Sequence, residues 1–399
     1  MVADAWSGAH HADRDVEMRI GCAGVAFRGA AHALARPAER GQNWAMSETA
    51  RDPDQLASGE TPEVAPASVA PAPEDPGAAA PAEPHPTRVA IVGAGAVGST
   101  FAFGLLLSGL AAEILLVDAN AQRAEGEAMD LMHAVPFAKT ARVWSGPLDE
   151  CRGAAITVIA AGAAQKPGET RLDLVRKNAA IFGQIVPAVA RANPDGIIVV
   201  ATNPVDVLSY LTYRISGLPP ERVIGSGTIL DTSRFRMLLA EHYGVDPRSV
   251  HAYIAGEHGD SEVPVWSSAN IAGMPLADFG RANGIGHDQG SLQQIFESTR
   301  DAAYQIIERK GATSFAVAAG LVRIVEAILR DQSTVLSVSS LICDYYGIDD
   351  VYLSVPTVLG RRGVERTLRL AMSAEEASGL RHSAELLRAT IATLGLDPR

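Results

Sequence analysis

The sequence predicts an α/β protein: a doubly wound parallel sheet, then an α+β domain, behind a disordered N-terminal extension. Three observations predict it. From Arg88 the runs "RVAIVG", "EILLVD", "AAITVIAAG" and "GIIVVATN" are apolar, rich in β-branched residues and bounded by turn residues, with enough chain between them for crossover helices. After about residue 228 the pattern shifts to longer helical stretches near 231–243, 287–310 and 314–330, then strand-like "STVLSVSSLI" and "DDVYLSVPTVLG" and an amphipathic helix near 373–394. Before residue 87 there is neither pattern.

That first segment is biased in composition. Nine of the 23 prolines fall between Pro53 and Pro86, in a stretch without an aromatic residue or an isoleucine. Such a chain cannot bury enough apolar surface to offset the entropy of ordering it. Residues 47–86 carry eight acids against one arginine, so −7 of the net −12 lies there and the rest is only mildly acidic. The expected organisation is a disordered Ala/Pro-rich acidic extension over 1–86, a dinucleotide-binding domain over 87–228 and an α+β domain over 229–399. Met46, just before the Pro-rich stretch, is a candidate translation start.

Composition also bounds the function. A net charge of −12 argues against a nucleic-acid footprint. The longest apolar run, "FAFGLLLSGLAA", stops at Glu113, short of a membrane span. Cys22, Cys151 and Cys343 are odd in number, far apart and not at metal-ligand spacing, which predicts a reduced, cytoplasmic protein without a disulfide framework.

"GAGAVG" places Gly93, Gly95 and Gly98 directly after the first strand and at the start of a helix-like stretch. In that context Gly93 permits a tight turn, Gly95 lets the backbone approach a pyrophosphate, and Gly98 lets the helix pack closely on the sheet, as in a Rossmann domain. Asp118 ends the second strand twenty residues after Gly98, where an acid accepts hydrogen bonds from the adenine ribose and repels a 2′-phosphate. The cofactor expected is therefore NAD rather than NADP.

His258, in "GEHGDSE", is compatible with a metal ligand, a proton donor or an ordinary surface residue when taken alone. No H-E-x-x-H or Cys/His set accompanies it, so no metal is expected. The rest of the chain decides. With "AGAAQKPGETRLDLVRKN", "ATNPVDVL", "GSGTILDTSRFR" and "GEHGDSEVPVW" in this order, residues 88–399 resemble the lactate/malate dehydrogenase family, on its lactate-type, allosteric bacterial side.

Reduction of a 2-oxo acid needs a hydride from nicotinamide, a proton for the emerging alkoxide, and cations for the substrate carboxylate and carbonyl. His258 suits the proton role, and the resemblance makes Asp231, in "ILDTSR", the anion that orients it. By the same resemblance Arg234 binds the substrate carboxylate, and Arg171 is brought to the carbonyl by closure of a loop containing Gly162 and Gly168. Read singly, Arg234 is an ordinary solvated helix residue, Arg171 a helix-start residue pairing with Glu169, and Asn203-Pro an ordinary turn. The resemblance puts Asn203 near nicotinamide and substrate, and adds Val97, Arg123, Gly162, Ala163 and Ser226 to the cofactor shell. Arg123 departs from the lysine frequent in the family but keeps its charge.

Gln165 occupies the position where lactate-type members carry glutamine and malate-type members arginine, and Thr313 also fits the lactate-type pattern. A second substrate carboxylate would enter a closed site unpaired, at a cost of several kcal/mol, so the expected substrates are pyruvate and L-lactate. Lys166, beside Gln165, keeps malate dehydrogenase as the alternative within this chemistry. Arg236 and His251 match the family's fructose 1,6-bisphosphate positions between subunits, and a homotetramer is carried over by resemblance alone. From other classes, a non-catalytic NAD-binding sensor would need only the glycine loop and Asp118, and an NAD-dependent glycosidase would need a metal-ligand cluster.

Overall fold

The computed structural model describes residues 87–163 and 170–396. The expected extension over 1–86, the candidate start at Met46, and Gln165, Lys166, Gly168 and Glu169 lie outside the described residues.

Six strands, β1 (Arg88–Val92), β2 (Glu113–Val117), β3 (Arg142–Ser145), β4 (Ile156–Ile159), β5 (Ile197–Val200) and β6 (Val223–Gly225), run parallel in the order β3-β2-β1-β4-β5-β6. The chain therefore reverses its direction of travel between β1 and β4, and in an open parallel sheet that crevice, at the strands' carboxyl ends, is where ligands bind. Strand alternation explains the near-continuous apolar runs. Val89 and Ile91 enter one core cluster and Ala90 and Val92 the other, all 2% exposed or less.

The crossovers carry α1 (Ala96–Ser108), α2 (Ala121–Ala134), α3 (Arg171–Ala192) and α4 (Val205–Ser216), followed by α5 (Ile229–Tyr243). Phe101 and Leu105 of α1 pack with Val89 and Ile91, and Phe182 and Val186 of α3 with Ala90 and Val92. Burying each of these large side chains contributes roughly 1.5–3 kcal/mol. The helix α3 starts with a reciprocal cap between Thr170 and Asp173.

Beyond α5 come the short strands β7 (Val250–His251), β8 (Ile254–Ala255), β9 (Val263–Pro264), β10 (Asn270–Ile271) and β11 (Met274–Pro275). They are followed by α6 (Leu276–Asn283), α7 (Gln289–Lys310), α8 (Phe315–Leu329), β12 (Thr334–Ile342), β13 (Val351–Gly360), β14 (Gly363–Thr367) and α9 (Ala374–Ala392). The helices and long strands expected here all form, within about two residues of their predicted limits.

Two features go beyond the expectation. β3 and β6 were not foreseen; one places only Val143 fully in the core and the other has three residues, too little for a pattern to show. The strands expected in the second half form and add to the parallel sheet. β12 pairs antiparallel with β6 through Ser339 and Gly225, and β13 and β14 follow, giving one nine-stranded sheet. The edge of β6 is thereby covered by chain from the second half.

Candidate active site

The glycine loop follows β1. Gly93 has φ +108°, and a β-carbon there would meet the Ala161 nitrogen at 2.4 Å. A β-carbon on Gly98 would meet the Gly93 carbonyl oxygen at 1.8 Å, so α1 approaches the loop more closely than any side chain allows. Gly95 is different, since a β-carbon on it would meet nothing within 4 Å. It caps α1 without a side-chain hydrogen bond, and the first turn contains no acid. Uncapped N–H groups, the positive end of the helix dipole and open space at Gly95 together fit a pyrophosphate.

Asp118 accepts hydrogen bonds from the backbone N–H groups of Ala94 (2.7 Å, Oδ2) and Asn120 (2.9 Å, Oδ1). It thus braces the glycine loop while its remaining lone pairs stay available to a ribose. Val97 is in the first turn of α1, and Arg123 is an exposed residue at the start of α2. Gly162 and Ala163 follow β4, Asn203 follows β5, and Ser226 follows β6, so all lie beyond the carboxyl ends of neighbouring strands.

Asn178 of α3 joins these segments, and sequence reasoning missed it. It is 1% exposed, accepts from the Ala163 N–H (2.8 Å) and donates to the Asn203 carbonyl (2.9 Å). A mid-helix asparagine has no local signal of such a role.

His258 is carried on the turn between β8 and β9, anchored where Gly256 exchanges two backbone hydrogen bonds with Ser354 of β13. Asp231 and Arg234 lie one turn apart on α5. The Thr232 hydroxyl accepts from the Ile254 N–H (3.0 Å), and the Thr228 hydroxyl donates to the Ile254 carbonyl (2.6 Å). These bonds pin α5 to β8 and fix the separation of acid and histidine. Nδ1 of His258 lies 2.5 Å from Oδ2 of Asp231, whose Oδ1 accepts from Arg234 at 2.9 Å.

Burial of the pair disfavours charge, but mutual attraction prevails. Against its own burial, the His258 imidazole is raised to about 9 by the charge and hydrogen bond of Asp231, with Asp206 and Glu262 behind them. Burial would likewise raise Asp231, yet His258 and Arg234 hold it below the ordinary carboxylate range. The pair therefore stores an imidazolium beside a carboxylate, with the His258 side chain still 22% exposed.

Asp206, on the first turn of α4, accepts from the His258 backbone N–H at 2.8 Å. Glu262 is buried at the end of the same turn as His258, and burial pushes its carboxyl up to about 8. Neither residue was singled out from the sequence. Thr313 is half-buried between α7 and α8, and Arg171 is the first residue of α3. Apart from this cluster, Arg236 donates to the Ala252 carbonyl (2.8 Å) and covers the Tyr253 ring, next to exposed His251 on β7. Among the described residues no group of three His, Cys, Asp or Glu side chains is placed to hold a metal, and no helix is long and apolar enough to cross a membrane.

A parallel sheet with a glycine loop open to a pyrophosphate, and a histidine–aspartate pair beyond its carboxyl edge, fits an NAD-dependent dehydrogenase of 2-hydroxy acids. Residues 87–225 match the lactate/malate dehydrogenase NAD-binding domain and residues 228–395 the lactate/malate dehydrogenase alpha/beta C-terminal domain. The chain belongs to the lactate/malate dehydrogenase family. It is 51% identical over 307 residues to an L-lactate dehydrogenase of Priestia megaterium, covering 77% of this chain and 96% of that one. It is 50% identical over 305 residues to L-lactate dehydrogenase 1 of Clostridium acetobutylicum, covering 76% and 97%. Among solved structures it is similar to the minor L-lactate dehydrogenase of Enterococcus mundtii in a ligand-bound form, with a TM-score of 0.75 and 42% identity over 77% of this chain and 98% of that one.

Proposed function

We propose that the protein is an L-lactate dehydrogenase, reducing pyruvate to (S)-lactate reversibly with NADH. The observation that carries the reading is the relay of Arg234, Asp231 and His258, with an imidazolium held ready beside a buried carboxylate. Bound NADH supplies the hydride. His258 then gives its Nε2 proton to the developing alkoxide, while Asp231 fixes the tautomer and orientation of the ring and stabilises its charged form. Arg234 binds the substrate carboxylate, and Arg171, with closure of the loop before α3, polarises the carbonyl. Asn203 orients substrate and nicotinamide, and Gln165 and Thr313 select a methyl group over a second carboxylate.

In this reading Gly93, Gly95, Val97, Gly98, Asp118, Arg123, Gly162, Ala163 and Ser226 complete the cofactor shell. Residues 87–228 serve as the NAD-binding domain and 229–399 as the substrate domain. Arg236 and His251 bind fructose 1,6-bisphosphate between subunits of a homotetramer. A cytoplasmic setting suits Cys151 and Cys343, which are both free thiols.

The test is NADH oxidation by purified protein with pyruvate or oxaloacetate, each with and without fructose 1,6-bisphosphate. Preference for pyruvate supports the reading, and Gln165→Arg should shift it toward oxaloacetate. Preference of the wild type for oxaloacetate would make the enzyme a malate dehydrogenase; tight NADH binding with no turnover of either would make it a sensor. His258→Asn should lower kcat by about 10²–10⁴-fold with NADH binding retained. An unchanged pyruvate half-saturation and melting temperature at saturating bisphosphate would remove the effector role.

A further inference from the structure

We propose that Asp206 is a positioning residue for this reaction: from the first turn of α4 its buried carboxylate holds His258 by the backbone and sets a second negative charge behind the imidazole. The proposal rests on the reading of His258 as proton donor.

Asp206 is 1% exposed and three residues beyond Asn203, on the helix that the Asn203–Pro204 turn begins. Its Oδ2 accepts from the His258 N–H at 2.8 Å, across 52 residues of sequence. The turn holding His258 is thereby tied to the turn placed beside substrate and nicotinamide, and Asn178 ties that second turn to Ala163 after β4. One short chain of buried polar side chains thus runs from the glycine-containing segment after β4 to the proton donor. A displacement of either turn alone would break a buried charge-assisted hydrogen bond, which is costly.

The charges facing His258 come from several elements. Asp231 comes from α5, Asp206 from α4, and Glu262 from the end of its own turn. Arg234 of α5 and Arg300 of α7 face Glu262, and the hydroxyl of Ser339 on β12 and the Glu257 carboxylate act on Asp206. Burial, opposed by Ser339 and the His258 N–H, pushes Asp206 up to about 6, so above neutral pH it is an anion. An anion there favours the imidazolium. Asp231 orients the ring, whereas Asp206 fixes the backbone from which the ring projects.

Two substitutions in the full chain separate the effects. Asp206→Asn keeps an oxygen acceptor for the His258 N–H but removes the charge; Asp206→Leu removes both. With Asp206→Asn, the His258 imidazole, followed by NMR titration and assigned with His258→Asn, should titrate about one unit lower than in the wild type. The limb of the pH profile of pyruvate reduction that reports the imidazolium should move down with it. Asp206→Leu should also lower kcat about a hundredfold with NADH affinity unchanged. An unshifted titration in Asp206→Asn, or a wild-type kcat in Asp206→Leu, overturns the proposal. Should Asp206→Leu fail to fold, the Asp206→Asn titration decides. Because the titration needs no substrate, a wild type inactive on pyruvate would refute the reaction while leaving the link between Asp206 and His258 separately measured.

Discussion

Glu262 is 6% exposed, and burial is the main reason its carboxyl is pushed up to about 8; the Asp231 charge adds to it, while His258, Arg234 and Arg300 oppose it. Between the ordinary value of 4.5 and about 8 the folded chain keeps a proton that the unfolded chain has lost, so stability falls as pH rises across this window. His258 acts in the same direction. Its raised value makes a stabilising contribution that is full below 6.5 and lost as pH rises through about 9. Thermal stability should therefore decline from pH 6.5 to 9. Glu262→Gln removes the carboxyl's share together with the smaller support its charge gives His258, so on balance it should melt above the wild type at about pH 9 and level with it at about pH 4. Melting curves across that range check this, and an identical slope in the two proteins would refute the burial argument. At this scale His258, Asp231 and Arg234 were legible because their spacing and order follow a family pattern. Asp206 and Asn178 were not, because their partners are distant in sequence, and Glu262 was not, because a lone glutamate at the end of a turn shows no sign of its burial.

At the scale of elements, the loop from β1 to α1 separates two kinds of glycine. A methyl group on Gly98 collides with the Gly93 carbonyl, while one on Gly95 enters open space at the helix start. Gly98→Ala should lower both melting temperature and NADH affinity. Gly95→Ala should leave melting unchanged and weaken NADH by roughly tenfold or more, since it fills only the space a pyrophosphate would use. Fluorescence titration with NADH beside a melting curve measures both. Wild-type affinity in Gly95→Ala would show that the phosphates do not use this cradle. The alternation of β1, β2, β4 and β5 with helices was visible in the sequence, because strands buried on both faces leave long β-branched runs. What strand patterning cannot show is pairing. β12 and β13 were legible as strands, but nothing local in them reveals that β6 is the neighbour.

That pairing governs the molecule as a whole between residues 87 and 396. The strand β13, from Val351 to Gly360, is buried along its length, and β12 joins it to the sheet whose β1 leads into the glycine loop. Two halves sharing a sheet and its two flanking core clusters cannot expose one half without opening the other's strand edge. Trp144 on β3 lies at one end of the sheet, and Trp266 lies beside α5 in the third core cluster. Variants keeping one of these as the sole tryptophan should report the same denaturant midpoint. Leu353→Ala, which empties a fully buried position on β13, should cost about 2–5 kcal/mol. It should move the Trp144 midpoint as far as the Trp266 midpoint, although β3 is at the far end of the sheet. Separate midpoints, or a shift seen by Trp266 alone, would mean that the two halves fold as independent units despite the shared sheet.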